Sequence, residues 1–150
     1  MRRTDDRGSL TVEAVALTLL LLIPTLYLVL ALGRVQAGAY AAESGAYAAA
    51  RAAVLAGTAA AVDGARVGTA MDDAGIAAAR LVAEDFGVPA DAVAVELTCD
   101  PACLEPASVV EAAVTVAVPL PGVPAFARGV LPLEVTVAAS AASPVEGVAP

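Results

Sequence analysis

The feature that most constrains this chain is an uncharged, apolar stretch of nineteen residues near its N-terminus, residues 14–32. At about 1.5 Å per residue, a helix of this length rises about 28 Å, close to the ~30 Å hydrocarbon core of a bilayer. Three arginines precede the stretch and only Arg34 follows it closely. The positive-inside rule then predicts a cytoplasmic N-terminus, with everything after about Gly33 outside the membrane.

A secretory signal peptide, cleaved after a small-residue pattern such as Val35-Gln36-Ala37, is the alternative interpretation of this stretch. The stretch is longer than the usual apolar region of a signal peptide, and no other long apolar helix is present to anchor the product. We therefore prefer a membrane anchor. Pro24 removes one backbone hydrogen bond in its middle, which predicts a kink that membrane helices tolerate.

The composition disfavours several classes of function. Apolar residues make up 59% of the 150 residues but aromatic residues only 3%, so a core outside the membrane should be small. Eight arginines face sixteen acidic residues, giving a net charge of −8, and we expect no nucleic-acid partner. The chain has no histidine, and no nucleophile–base pair, phosphate-binding loop or metal cluster emerges. We expect that the chain is not an enzyme and that it has no cofactor or metal site.

Glu13 lies at the edge of the apolar stretch, where an unpaired carboxylate is unfavourable and would cost about 2.5–3.5 kcal/mol at the bilayer centre. Cleavage between Gly8 and Ser9 would create a protonated α-amino group four residues before Glu13, about one helical turn away. In a bundle of related helices, that amine could instead pair with the glutamate of a neighbouring subunit and set the axial register. The alternative is that Glu13 simply reaches the head groups.

The short basic leader, Gly8, and Glu13 directly before a membrane-length stretch resemble the N-terminus of a known family. The segment RGSLTVEAVALTLLLLIPTLYLVLALGRVQAGAYAAESGAYAAARAA is similar to that of TadE-like pseudopilins, minor components of tight-adherence (Tad/Flp) type IV pilus systems. The likeness is dense over the first 55 residues and looser afterwards, where valine-rich strands and a Pro-rich connection resemble actinobacterial members. Ala14 replaces the Tyr common in short major Flp pilins, which favours a pseudopilin.

The resemblance implies a structural role in pilus assembly. A prepilin peptidase would cut between Gly8 and Ser9 and leave Glu13 as the fifth mature residue, available to pair with the N-terminal amine. Residues 1–8 would be a cytoplasmic leader that is cleaved off, 9–35 a transmembrane helix in the cytoplasmic membrane, and 36–150 an extracellular domain. The protein would stay in the membrane or be incorporated in the pilus. The implied partners are membrane lipid, the peptidase, and other pilin and pseudopilin subunits. The alternative is a signal-peptide-bearing or membrane-tethered extracellular binding domain.

The alanine-rich residues 36–56 predict that the helix continues out of the bilayer, because alanine is the strongest helix former. Tyr40, Tyr47 and Val54 recur every seven residues in this part. We expect the two tyrosine side chains to pack against the domain; the alternative is that they anchor at the membrane interface. Three glycines in residues 57–68 weaken the helical pattern there.

A second helix is predicted from about 70 to 86, with Thr69 and Asp72 as a capping signal and Gly87 at its end. Three alternating segments predict a sheet with one buried face, and an antiparallel meander is its simplest topology. The predicted inward residues are Val93, Val95, Leu97, Val110, Ala112, Val114, Val116, Val118, Leu133, Val135, Val137 and Ala139. The predicted fold class is therefore α+β, with a long N-terminal helix, a second helix and about three strands, and the resemblance implies that it is pilin-like.

Cys99 and Cys103 lie in the connection between the first two predicted strands, on the side predicted to be extracellular. Disulfides persist in such an environment, so we predict that these cysteines form one. Two cysteines do not complete a zinc site, and their spacing differs from the Cys-x-x-Cys of thioredoxin-like enzymes. Because the closed loop is short, the bond should stabilise the fold only modestly.

Overall fold

A computed structural model describes residues 7–122 and 134–145, with side chains from Thr11 onwards. The chain forms an α+β fold, as predicted from the sequence. The elements in chain order are α1 (Arg7–Asp63), α2 (Val67–Asp85), a 3₁₀ turn (Ala90–Ala92), β1 (Val93–Asp100), β2 (Val109–Pro119) and β3 (Glu134–Pro144). Both helices cover one face of the sheet.

The first helix, α1, is one continuous element of 57 residues, about 85 Å long at about 1.5 Å per residue. It continues beyond the apolar stretch, as predicted, and extends past residue 56 to Asp63. Gly57 does not interrupt it; instead, Gly57 makes room for α2, since a Cβ there would lie 2.7 Å from Met71 Cγ. The break comes only at Gly64, whose φ of 69° suits glycine.

The second helix, α2, runs antiparallel to α1, because Met71 faces Gly57 at one end and Ala79 faces Gly45 further along. It begins earlier than predicted, at Val67, and the predicted Thr69 cap is wrong. The N-cap is Arg66, which makes no side-chain capping bond, because the turn at Gly64 leads directly into the helix. At the other end, Gly87 adopts a φ of 72° and its N–H donates to the Glu84 carbonyl.

The sheet is an antiparallel meander in the order β1-β2-β3, as predicted. Val114 pairs with Val95 on one side and with Ala139 on the other, so the predicted inward residues share a face. The five predicted residues of β2 are all buried. On the edge strand β3, however, Val135 is 37% exposed, since this strand has a neighbour on one side only. Leu133 lies outside the described residues.

The core between the helices and the sheet consists mainly of alanine and valine. Alanines with no exposed surface line the inner face of α1, and Ala79 and Ala83 do the same on α2. A smaller cluster further along α1 contains Ala53, Met71 and Val110. Because alanine and glycine fill the contact, the two helix backbones lie close together, and there is little room for a larger side chain.

The expected packing of the tyrosines against the domain is wrong. Tyr40 and Tyr47 are 62% and 61% exposed, on the side of α1 that faces away from α2 and the sheet. The alanine face packs instead, because only small residues allow this close approach of helix to helix and helix to sheet. Val54, the third member of the seven-residue series, does pack, against the smaller core cluster.

At Gly38, α1 lies close against the sheet, since a Cβ there would overlap Val118 Cγ2 on β2. We expect Gly38→Ala to lower the free energy of unfolding by about 1–3 kcal/mol, because a buried valine side chain would have to move. Gly33→Ala on the same helix is the control: nothing lies within 4 Å of its Cβ position. Thermal unfolding in detergent, followed by circular dichroism, measures both. Equal shifts for the two variants would contradict the proposed close contact.

Candidate anchoring and processing segment

The N-terminal half of α1 is the most unusual surface of the molecule. Every side chain from residue 11 to 30 is exposed, including Leu20 at 70% and Leu28 at 65%. An 18-residue window in this helix has a mean hydropathy of 2.6, and none of it is buried. A contiguous apolar surface of this size is not typical of a soluble monomer. In the described ranges, this is the one helix long and apolar enough to cross a membrane.

The residues predicted for processing lie at the start of this helix. The structure places Gly8 and Ser9 in the first turn of α1 and Glu13 four residues after Ser9. That spacing puts residue 9 and the glutamate on one face of the helix, about 6 Å apart along its axis. Glu13 itself is exposed. An amino group created at Ser9 would therefore lie within one turn of a carboxylate that the domain does not cover.

The two threonine hydroxyls inside the apolar stretch are bonded within the helix. Thr18 Oγ1 donates to the Ala14 carbonyl at 2.8 Å, and Thr25 Oγ1 donates to the Leu21 carbonyl at 2.7 Å. Such bonds lower the cost of placing hydroxyls in lipid. Helix α1 also continues through Pro24. Because proline has no N–H, the Leu20 carbonyl loses its usual donor, and Thr25 bonds the next carbonyl rather than this one.

The domain joins the apolar stretch without a linker. The first buried position of α1 is Gly38, six residues beyond Leu32, and Ala41 and Ala42 follow as part of the core. Six residues of helix rise about 9 Å. The helical part of the core therefore begins close to the end of the apolar stretch, and both belong to one helix. The residues after β2 reach back along the stretch, since a Cβ on Gly122 would lie 3.8 Å from Tyr27 Cε2.

The cysteines lie at the opposite end of the domain from the apolar stretch. Cys99 near the end of β1 is joined to Cys103 as a disulfide, with a Cα–Cα distance of 5.1 Å. Cys99 and the neighbouring Leu104 pack against the smaller core cluster, next to Gly57. The disulfide therefore closes the β1–β2 connection over that cluster.

A cavity of about 480 Å³ at the end of the domain nearest the apolar stretch has no counterpart among the predicted sites. Its described lining comes from three elements, including Arg34 on α1, Phe86 after α2 and Pro119 at the end of β2. The one sequence signal was a lone arginine after the apolar stretch. The cavity forms where α1, the segment after α2 and the end of β2 meet. The hydrophobic pattern of the sequence carries no information about such contacts.

Taken together, this end of the molecule offers an exposed apolar helix for contact with lipid or with similar helices. Among the described residues up to Leu32, Glu13 is the one carboxylate, and it lies in the second turn of that helix. Those groups suit anchoring and helix association. Comparison with protein-family models, with curated proteins and with solved structures finds no match for this chain.

Proposed function

We propose that this chain is a minor pseudopilin of the Tad/Flp type, anchored in the cytoplasmic membrane by residues 14–32 and used in pilus assembly. The observation that carries the proposal is the strongly apolar segment of α1, exposed from residue 11 to 30, with Gly8, Ser9 and Glu13 at its start. The same helix continues into a small α+β domain. A pilus subunit needs such a combination of a lipid-soluble helix and a domain fixed to it.

Charge and covalent chemistry support an orientation with the domain outside. Three arginines precede the apolar stretch and one follows it closely, which favours a cytoplasmic N-terminus. The disulfide between Cys99 and Cys103 suits an oxidising exterior and is rare in the cytosol. Both features favour a domain that emerges from the outer side of the cytoplasmic membrane.

The position of Glu13 supports assembly in addition to anchoring. A carboxylate at the rim of an apolar helix needs a cation, and a new α-amino group at Ser9 would lie one helical turn away. The same amine in a neighbouring subunit would be an equally good partner. Pairing between subunits would fix how far each helix is displaced along its neighbour.

The processing step is tested by mass spectrometry of the membrane-extracted chain, expressed with an active or an inactivated prepilin peptidase. We expect a mature N-terminus at Ser9 only with the active peptidase. Gly8→Val should prevent the cut, because the peptidase would no longer meet a residue without a side chain before the bond. A mature N-terminus at any other residue would refute the processing proposal, and one at Gly38 would indicate a cleaved signal peptide.

A further inference from the structure

The cavity at the end of the domain nearest the apolar stretch has the position and chemistry of a head-group site. Its volume of about 480 Å³ falls within the range of ligand pockets, about 300–1,000 Å³. Phe86, Val88, Val118 and Pro119 supply apolar walls, and Arg34 supplies the positive charge. A partly apolar cavity whose described lining carries one cation, Arg34, suits an anion that has a hydrophobic portion.

Arg34 lies at the level where phospholipid phosphates are found. It is two residues beyond Leu32, the last residue of the uncharged stretch, so with the hydrocarbon boundary placed at Leu32 its Cα lies about 3 Å past that boundary. The head-group layer on each side of a bilayer is about 5–7 Å deep. The extended guanidinium therefore reaches into that layer. Arg34 is exposed, and no residue in the described ranges forms an ion pair with it.

The surrounding charge favours a ligand delivered by the membrane over one that diffuses from solution. The chain is acidic, with a net charge of −8, and Glu84 and Asp85 lie exposed in the last turn of α2, just before Phe86. A free multivalent anion would be repelled by this field. A phosphodiester carries one negative charge and is held at high local concentration in the leaflet, and guanidinium binds it through paired hydrogen bonds.

We propose that this cavity binds the phosphodiester head group of a phospholipid from the leaflet into which the domain emerges. Arg34 donates to the phosphate oxygens, and Phe86 and Pro119 contact the glycerol and the upper acyl chain. The site rests on the membrane-anchoring part of the proposed function and not on processing or assembly. Its effect is to fix the domain against the bilayer surface at a second point besides α1.

Lipid retention by the purified full chain tests the site. The chain in a maltoside detergent is titrated with a short-chain phosphatidylethanolamine, and bound lipid is counted by native mass spectrometry. We expect Arg34→Gln to weaken binding about tenfold or more, because one charge-assisted, bidentate contact is lost. Arg51→Gln is the control, since Arg51 is exposed on the same helix and does not line the cavity. Equal affinity for the Arg34→Gln and unaltered chains would overturn the proposal.

Two further ligands distinguish the source of the phosphate. The matching diacylglycerol lacks the phosphate and should bind about as weakly to the unaltered chain as phosphatidylethanolamine binds to Arg34→Gln. Inorganic phosphate at millimolar concentration should not displace the lipid. If diacylglycerol bound as tightly as phosphatidylethanolamine, the cavity would be an apolar pocket that does not recognise phosphate. If inorganic phosphate displaced the lipid, the cavity would be a site for a soluble anion. Either result would refute the lipid proposal.

The depth of the cavity is tested separately in liposomes. The chain has no tryptophan, so Phe86→Trp introduces a single fluorophore at the cavity, and Leu81→Trp places one further along α2, where residue 81 is 66% exposed. Lipids brominated near the glycerol should quench the tryptophan fluorescence of Phe86→Trp and leave that of Leu81→Trp largely unquenched. Equal quenching of both would contradict the predicted depth.

Different results would contradict the proposed membrane anchor, the proposed processing and the proposed lipid site. Release of the chain from membranes by alkaline carbonate would overturn the anchor and the site together. A mature N-terminus elsewhere than Ser9, combined with lipid binding that depends on Arg34, would overturn the processing proposal alone and support the site.

Discussion

Ala79→Leu is expected to lower the free energy of unfolding by about 3 kcal/mol, whereas Ala77→Leu two residues away is expected to change it by less than about 0.5 kcal/mol. Ala79 is fully buried on α2, and its Cβ lies 3.7 Å from the position that a Cβ on Gly45 would occupy. A leucine at 79 would therefore meet the backbone of α1. Ala77 is exposed on the same helix.

The measurement is equilibrium unfolding of the full chain in detergent, followed by the helical circular dichroism signal. The two variants share the same change in side chain and in helix propensity, so their difference isolates the contact with α1. If Ala77→Leu were as destabilising as Ala79→Leu, the orientation of α2 against α1 described above would be wrong. A double variant, Ala79→Leu with Gly45→Ala, should be at least as unstable as Ala79→Leu alone.

Glu13→Gln is expected to reduce incorporation into the assembled pilus by about tenfold or more, while membrane insertion remains unchanged. Glutamine keeps the size and polarity of the side chain but removes the charge that would attract the α-amino group at Ser9. Glu13→Ala should have the same effect. The measurement compares the chain in the sheared pilus fraction and in the membrane fraction of cells that contain the remaining assembly components.

Glu43→Gln is the control for this prediction, since Glu43 is exposed on the same helix but lies beyond the apolar stretch. We expect it to assemble normally. Normal incorporation of Glu13→Gln would show that the carboxylate only contacts head groups and that pairing does not direct assembly. Reduced insertion, by contrast, would show that the substitution acts on the helix in the membrane before any subunit contact is made.

The elements of the fold with a clear hydrophobic pattern were predictable from the sequence. The alternation in β2 predicted all five of its buried residues, because a central strand has one covered and one open face. The apolar stretch predicted a helix long enough to span a membrane, and the structure has one in which that stretch is uncovered. In both cases the pattern is local, so no knowledge of distant contacts was needed.

The packed face of α1 could not be predicted in the same way. Alanine occurs on every side of this helix, so hydrophobic periodicity does not distinguish the buried Ala49 from the exposed Ala59. The predicted packing face of α1 therefore depended on the large side chains Tyr40 and Tyr47. These side chains lie on the exposed side of the helix. Small residues fit this contact because the two helices lie close together, and that distance is a tertiary property.

The start of α2 and the cavity depend on contacts of the same kind. Thr69 has the form of a cap, but the turn at Gly64 lets the helix begin at Val67, which packs against the smaller core cluster. The burial of Val67 overrides the local capping preference. The processing residues Gly8, Ser9 and Glu13 stay predictions, since their role depends on an enzyme and on neighbouring subunits.

The continuity of α1 has a mechanical consequence. A domain on a flexible linker would reorient freely, and a pull on it would first straighten the linker. Here the core begins six residues after Leu32 on the same helix, so a force applied to the domain is transmitted along the helix axis with almost no slack. Rotation of the membrane segment would likewise turn the domain through the same angle. Torque and tension would thus pass between the membrane segment and the domain through one continuous helix.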